Sequence, residues 1–432
     1  MKLLRDIAGR TLIFPALRLM RAQMKLISDP VHLRQMALRV DALGTREPDV
    51  HTVPVTAGSA PGFWVDVKGA RHERVVLYLH GGAFVAETPT FHGAMLARIC
   101  RSARTRGLML SYRLAPEHPY PAALDDCVAA YRWLLDQGHA ANHIIVAGDS
   151  AGGNLTLALL LRARDEGLPL PAGAVALSPL ADFTFSGDSV RRNDGVDDMF
   201  SASQMAALVP VYLAKASLRR HPHVSPVFGD YTGMPPLLLV VGSTELLLDD
   251  SVRVAQRCPS ATLLVWDGMP HVFVGFDFLP QAQEAIQRIG SFMRDSLAAG
   301  AGAMAAAQLS ADDAAAAAPA TAQAQAQAQA RPSAPRLSVE PWCYAVLAGV
   351  NGLLSLFMLV VWPLMAWWLA HPLLWAASAV VATFMVFEAA SVGLRRLLWC
   401  LAAVVLLGPG CGLALFLHGR AVRSGPSRDI KS

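Results

Sequence analysis

His143-Ile144-Ile145-Val146-Ala147-Gly148-Asp149-Ser150-Ala151-Gly152-Gly153-Asn154-Leu155 joins an apolar run patterned as a buried strand to one patterned as a packed helix, residues 155–161. A serine stands at the junction, two residues from Gly148 and two from Gly152, the Gly-x-Ser-x-Gly pattern of a nucleophile elbow. The spacing has a steric reason. The turn is so sharp that the residues two before and two after the serine must lack bulk. The hydroxyl is then thrust out at the helix N-terminus, where the positive end of the helix dipole favours a developing anion. A loop whose glycines merely end a strand would carry the same pentapeptide, so the partners of Ser150 decide between the two readings.

Outward from this junction the chain alternates apolar runs with helical patterns. Short strands are expected at residues 51–55 and 63–67 around a turn at 58–62, then at 74–80 and 108–112. After Tyr112 the prolines 116, 119 and 121 forbid helix, and residues 122–136 have helical periodicity. Further strands are expected at 172–177, 237–241 and 262–266, with a closing helix at 282–297. Strands separated by helices indicate an α/β sheet of mostly parallel order, in which active groups collect past the carboxyl ends of the strands. Residues 181–234 break the rhythm, with 199–214 the best helix; with the N-terminal residues 1–45 they read as a helical cap over a catalytic domain at 46–298.

A serine hydroxyl is a poor nucleophile unless a base takes its proton, and the base is most often a histidine oriented by an acid. In elbow hydrolases the order along the chain is serine, acid, histidine. His271 is the base expected here, because it follows a strand and the Gly268-Met269-Pro270 turn; His221 and His223 have no strand before them. Glu245 is the first choice of acid, one Gly242-Ser243-Thr244 turn past a strand, with Asp249 and Asp250 as alternatives at a helix start or facing solvent. An acyl-transfer transition state also needs convergent N–H donors, each worth about 3–4 kcal/mol. The amides of Gly81, Gly82 and Ala151 are the candidates.

Taken together, His80-Gly81-Gly82-Ala83-Phe84, Tyr112-Arg113-Leu114-Ala115-Pro116-Glu117, Gly148-Asp149-Ser150-Ala151-Gly152-Gly153 and Met269-Pro270-His271 resemble the hormone-sensitive lipase family of α/β hydrolases, over residues 31–297. The resemblance implies an eight-stranded, mostly parallel sheet, an N-terminal helical cap, and no metal or organic cofactor. It implies hydrolysis of carboxylic esters with short to medium acyl chains, with Ser150 as nucleophile, His271 as base, and Gly81, Gly82 and Ala151 as oxyanion donors. The sequence departs from the family in two places. Ala83 replaces the third glycine of His-Gly-Gly-Gly, and Glu245 stands where the family usually has aspartate, as in some related esterases. Arg113, Glu117 and Asp149 match the motifs and are expected to support the fold.

The chain has 432 residues, 53% of them hydrophobic, and a net charge of +4, too small to argue for nucleic acid. Six cysteines are scattered without metal-ligand spacing, which reads as reduced thiols. Residues 1–28 lack the continuous apolar run of a secretory signal; they read as basic amphipathic helix, either part of the cap or lying on an anionic membrane. Residues 299–340 are an Ala/Gln/Pro-rich linker, partly helical where alanine dominates. Residues 341–418 carry only Glu388, Arg395 and Arg396 as charges and divide into three apolar blocks, or two, of membrane-spanning length, followed by a basic tail at 419–432. Basic residues balance on the two sides, so charge does not fix orientation. The expectation is a serine carboxylesterase tethered to a bacterial inner membrane with its catalytic domain cytoplasmic. Its partners would be a small-molecule ester (a lactone or lipid ester included) and the lipid bilayer, and a homo-oligomer is compatible. The alternative from another class is a non-catalytic small-molecule sensor coupled to the membrane segment.

Overall fold

A computed structural model describes residues 14–24, 29–42, 44 and 47–316. By its internal contacts the chain divides into two units, and everything described belongs to the first, which ends at Thr321. The apolar blocks expected at 341–418, the basic tail at 419–432 and the greater part of the linker lie outside the described residues. Among the described residues no helix is long and apolar enough to cross a membrane.

Eight strands form one sheet: β1 (Val50–Ala57), β2 (Ala60–Val67), β3 (Arg71–Leu79), β4 (Thr105–Leu110), β5 (Ile144–Asp149), β6 (Gly173–Leu177), β7 (Leu237–Gly242) and β8 (Ala261–Trp266). Their order is β1-β2-β4-β3-β5-β6-β7-β8. β1 and β2 form an antiparallel hairpin, β2 runs antiparallel to β4, and every pair from β4 to β8 is parallel. The hairpin strands run further into the expected turn than their apolar pattern indicates, leaving only Gly58 and Ser59 between them.

The core follows from strand parity. Side chains alternate faces along a strand, and a sheet covered on both sides is apolar at successive positions. Val75, Leu77, Leu79, Ile144 and Val146 are buried against α4 (Ala122–Asp136) and α5 (Ala151–Asp165). Their neighbours Val76, Tyr78, Ile145 and Ala147 are buried on the other face with α3 (Pro89–Ala103) and α9 (Pro280–Ala316). At the β6–β7 end α5 continues the first layer with α8 (Leu248–Arg257). The parallel strands therefore all deliver their carboxyl ends to one rim.

Two N-terminal helices, α1 (Phe14–Met24) and α2 (Pro30–Asp41), precede the sheet. Phe14 and Leu17 of α1 are buried in the cluster that contains Val272 and Phe273. The irregular segment after β6 contains the short helix α6 (Asp188–Arg192) and α7 (Ala202–Tyr212), the latter opened by a Ser201/Gln204 capping box. α9 does not stop at residue 297. It runs on through the alanine-rich start of the expected linker, so the boundary drawn at 298 falls inside a helix, as alanine's helix propensity favours.

Candidate active site

Ser150 sits where β5 meets α5, with φ +54° and ψ −115°. A non-glycine residue there costs about 1–3 kcal/mol and persists only when its surroundings over-determine it. The surroundings are close backbone. A Cβ on Gly152 would lie 1.9 Å from the Leu79 carbonyl oxygen, and one on Gly148 would lie 2.4 Å from the Gly152 oxygen. The turn is pinned by Ser150 N–H donating to Leu177 O at 2.8 Å and by Ser150 O accepting from Asn154 at 3.0 Å and Leu180 at 3.2 Å.

The structure brings Ser150, His271 and Glu245 together from the carboxyl ends of β5, β8 and β7. His271 Nε2 lies 2.9 Å from Ser150 Oγ, and His271 Nδ1 lies 2.8 Å from Glu245 Oε2. An ionised carboxylate only accepts, so Nδ1 carries the proton and Nε2 is left to accept from the hydroxyl. Glu245 is fully buried. Its Oε1 accepts from Ser178 Oγ at 2.8 Å and from the Gly242 amide. Burial alone would lower the His271 pKa, but the hydrogen bond and charge of Glu245, with Asp197 and Asp149 beyond, outweigh it and raise it above the ordinary value. Burial pushes the Glu245 carboxyl up, and His271 and the Gly242 amide oppose that push.

Asp249 and Asp250 do not reach His271. They open α8, as their position suggested, but neither simply faces solvent. Asp249 accepts from Ser189 N at 2.8 Å. Asp250 is buried and accepts from the amides of Ala181 at 2.7 Å and Asp182 at 2.8 Å. His223 pairs with Asp165 at 3.0 Å, far along the chain from the relay.

The oxyanion candidates divide. The Gly81 amide donates to Asp149 Oδ1 at 3.1 Å, so Gly81 is not a free donor and its reading as one is corrected. The amides of Gly82 and of the next residue, Ala83, have no acceptor among the described residues. Gly82 has φ +112°, and a Cβ on it would meet the Ala86 oxygen at 2.1 Å. Ala151 opens α5, so its amide has no acceptor within the helix.

Asp149 does more than support the fold. It is buried and also accepts from Tyr78 Oη at 2.8 Å and faces His92 Nε2 at 3.2 Å. Burial would lower the His92 pKa, but the charge and hydrogen bond of Asp149 raise it. Burial would raise Asp149, but the charge of His92, with the bonds from His92 and Tyr78, lowers it. The two form a buried hydrogen-bonded pair under the Gly81 turn. The Tyr112–Glu117 motif braces the same turn. Tyr112 Oη donates to His80 O at 2.6 Å and its ring stacks on His80 at 4.2 Å. Ala115 N donates to Phe84 O at 2.9 Å. Arg113 forks onto Asp126, with both Nε and Nη2 within 3.1 Å of its oxygens.

Several residues at the site have no sequence signature. Asn193 Nδ2 donates to Glu245 O at 2.7 Å, Asp197 Oδ2 accepts from Leu246 N at 2.8 Å, and Thr244 Oγ1 donates to Met269 O at 2.7 Å. Phe200 sets its ring edgewise against His271, 5.0 Å between centroids. Among the described residues no cluster of His, Cys, Asp or Glu could hold a metal ion.

A profile of a family with the alpha/beta hydrolase fold matches residues 76–275. An acetyl-hydrolase of Streptomyces hygroscopicus is 39% identical over 252 residues, which span 57% of this chain and 83% of the relative. A crystal structure of an esterase from the bacterial hormone-sensitive lipase family is 40% identical, covers 61% of this chain and 90% of its own, and superposes with a TM-score of 0.59. A hormone-sensitive lipase from a metagenome library is 34% identical, covers 66% and 97%, and superposes at 0.62. Fold, strand-end site and relatives agree: the chain belongs to the α/β-hydrolase family, among its carboxylesterases of the hormone-sensitive lipase type.

Proposed function

We propose that the chain is a serine esterase that cleaves short- to medium-chain carboxylic esters through Ser150, His271 and Glu245. The observation that carries this reading is the continuous relay, 2.9 Å from Ser150 Oγ to His271 and 2.8 Å from His271 to a fully buried Glu245. As Ser150 Oγ attacks the acyl carbon, His271 Nε2 takes its proton, and Glu245 stabilises the imidazolium and holds its tautomer. The carbonyl oxygen becomes an oxyanion and is received by the amides of Gly82, Ala83 and Ala151. Collapse breaks the ester C–O bond. The imidazolium gives its proton to the departing alkoxide, which leaves as the alcohol, with the acyl group on Ser150. Water then attacks by the same route, its proton passing through His271, and the acid departs. A short acyl group suits the filled wall beside the oxyanion turn, where buried Phe84 stacks on Tyr212 at 3.8 Å with Phe183 5.5 Å from Tyr212. The acetyl-hydrolase relative points the same way.

The apolar blocks at 341–418 tether this domain to a lipid bilayer, and the domain works on the cytoplasmic side. The support is their length and near absence of charge, and three free, buried cysteines among the described residues. The mechanism is tested with Ser150→Ala. Turnover of p-nitrophenyl butyrate should fall at least about 10³-fold, and labelling by a fluorophosphonate probe should vanish, with the unfolding temperature held or raised. Unchanged turnover would remove the mechanism.

A further inference from the structure

We propose that Asp197 is a positioning residue for the acid–base pair: one buried carboxylate ties the backbone beside Glu245 to the backbone of Phe200, whose ring rests on His271. The proposal rests on the serine-esterase reading above.

Asp197 lies in the irregular segment after β6, not on the sheet, and is 1% exposed. Its two oxygens face different parts of the site. Oδ2 accepts from Leu246 N at 2.8 Å, one residue after the acid. Oδ1 accepts from Met199 N at 2.8 Å and Phe200 N at 3.0 Å. Asn193 sits at the start of the same strap, accepts from Asp197 N at 2.9 Å, and donates to Glu245 O at 2.7 Å and Ser243 O at 3.1 Å. Residues 193–200 thus grip the acid loop at three backbone atoms and the base at its ring. Their outer side is held by α1. Arg21 donates to Asp197 O and to Phe200 O, Arg18 pairs with Asp198, and Gln204 Nε2 donates to Arg21 O at 3.1 Å.

The charge is as particular as the geometry. Among the described residues no cation pairs with the Asp197 carboxylate; its partners are the backbone amides of Met199, Phe200 and Leu246. A tether alone needs only acceptors. An ionised one adds a second negative charge behind the imidazolium that forms at His271. The groups in contact with His271 are Glu245 at Nδ1, Ser150 at Nε2 and the Phe200 ring; the carboxylates of Asp197 and Asp149 act on it through charge alone. Misplacement of a catalytic group by about 1 Å can cost about 10²-fold in rate, so a strap that fixes both Glu245 and His271 has a kinetic consequence out of proportion to its size.

The test is Asp197→Asn in the full chain, with kcat and KM for p-nitrophenyl butyrate measured across pH and folding followed by thermal unfolding. The amide keeps the shape but offers one acceptor oxygen and no charge. The expected result is a kcat about 10–100-fold lower with KM held within about threefold, and an acid limb of the kcat profile moved to lower pH. Phe200→Leu, which leaves every bond to Asp197 in place, should lose kcat to a smaller degree. Asp194→Asn, on the same strap but bonded only to Ala202 N at 3.1 Å, should match the wild type. A folded Asp197→Asn enzyme with wild-type kcat and acid limb, or one that loses only KM, overturns the proposal. If Asp197→Asn does not fold, wild-type kcat in Phe200→Leu overturns it. Wild-type turnover that survives Ser150→Ala would instead remove the triad reading on which it rests.

Discussion

Glu245 uses both carboxylate oxygens, Oε2 toward His271 and Oε1 toward Ser178 and the Gly242 amide, with no water-exposed side. Glu245→Gln must therefore turn an N–H₂ against a donor on one side or the other. That inverts the His271 tautomer or unseats the Ser178 contact, and kcat should fall about 10³–10⁴-fold. Asp249→Asn and Asp250→Asn touch no atom of the relay and should keep activity within about tenfold; the reverse ranking would move the acid to α8. The same contacts set the pH dependence. In the proposed mechanism His271 acts as base only when neutral, and its pKa is raised because Glu245 outweighs the effect of burial. The acid limb of kcat/KM should therefore lie above the ordinary histidine value of about 6.5, with activity lost as pH falls through it. In Glu245→Gln the limb should drop. These residues differ in how far the sequence announces them. Ser150 is legible because the steric demand of its turn is written as Gly148 and Gly152. Glu245 and His271 are legible because they follow strands. The Gly81 reading missed by one residue, since the partner that claims its amide, Asp149, lies 68 residues away. Asp197 and Asn193 act by single side chains on distant backbone atoms, a contact that leaves no spacing to read.

The elements carry the oxyanion turn as much as its own residues do. Arg34 of α2 donates to Val85 O at 2.6 Å and Ala115 O at 2.7 Å and forks onto Glu117, both of its contacts there within 3.0 Å. It bolts the N-terminal helix to the turn after Gly82 and to the motif that braces it. Arg34→Ala should cost about 2 kcal/mol in stability, the scale of charge-assisted hydrogen bonds at a partly exposed site, read as a lower unfolding temperature. A kcat loss should accompany it, and an unchanged melting curve would show that α2 merely lies alongside. Strand and helix order was legible for the elements whose apolar period is clean, such as α4, whose expected and observed bounds coincide at residues 122–136. α3 was not. Thr88-Pro89 is a helix start, but Gly93 inside the segment argues against helix by propensity, and the burial of Met95, Leu96, Ile99 and Cys100 against α9 and the sheet overrides it.

At the scale of the whole molecule, the helix that closes the esterase core crosses the boundary drawn from composition. α9 begins against α3, where Arg294 bonds the Ser102 carbonyl, and at Gly300 O it still accepts from Asn142 Nδ2 at 3.0 Å. A cut at residue 298 would remove that contact, whereas a cut after Thr321 keeps the whole described fold. Buried side chains of α9, from Ala282 to Leu297, lie before either cut, so the difference between the two truncations isolates the terminal turns. The chain ending at Thr321 should retain kcat/KM for p-nitrophenyl butyrate within about twofold and leave the membrane pellet for the soluble fraction. The full chain should stay in that pellet through an alkaline carbonate wash and come off only with detergent. A full chain that washes free would show that the apolar blocks at 341–418 pack on themselves instead of entering lipid. The proposed esterase mechanism would be untouched, because every group it uses lies before residue 272.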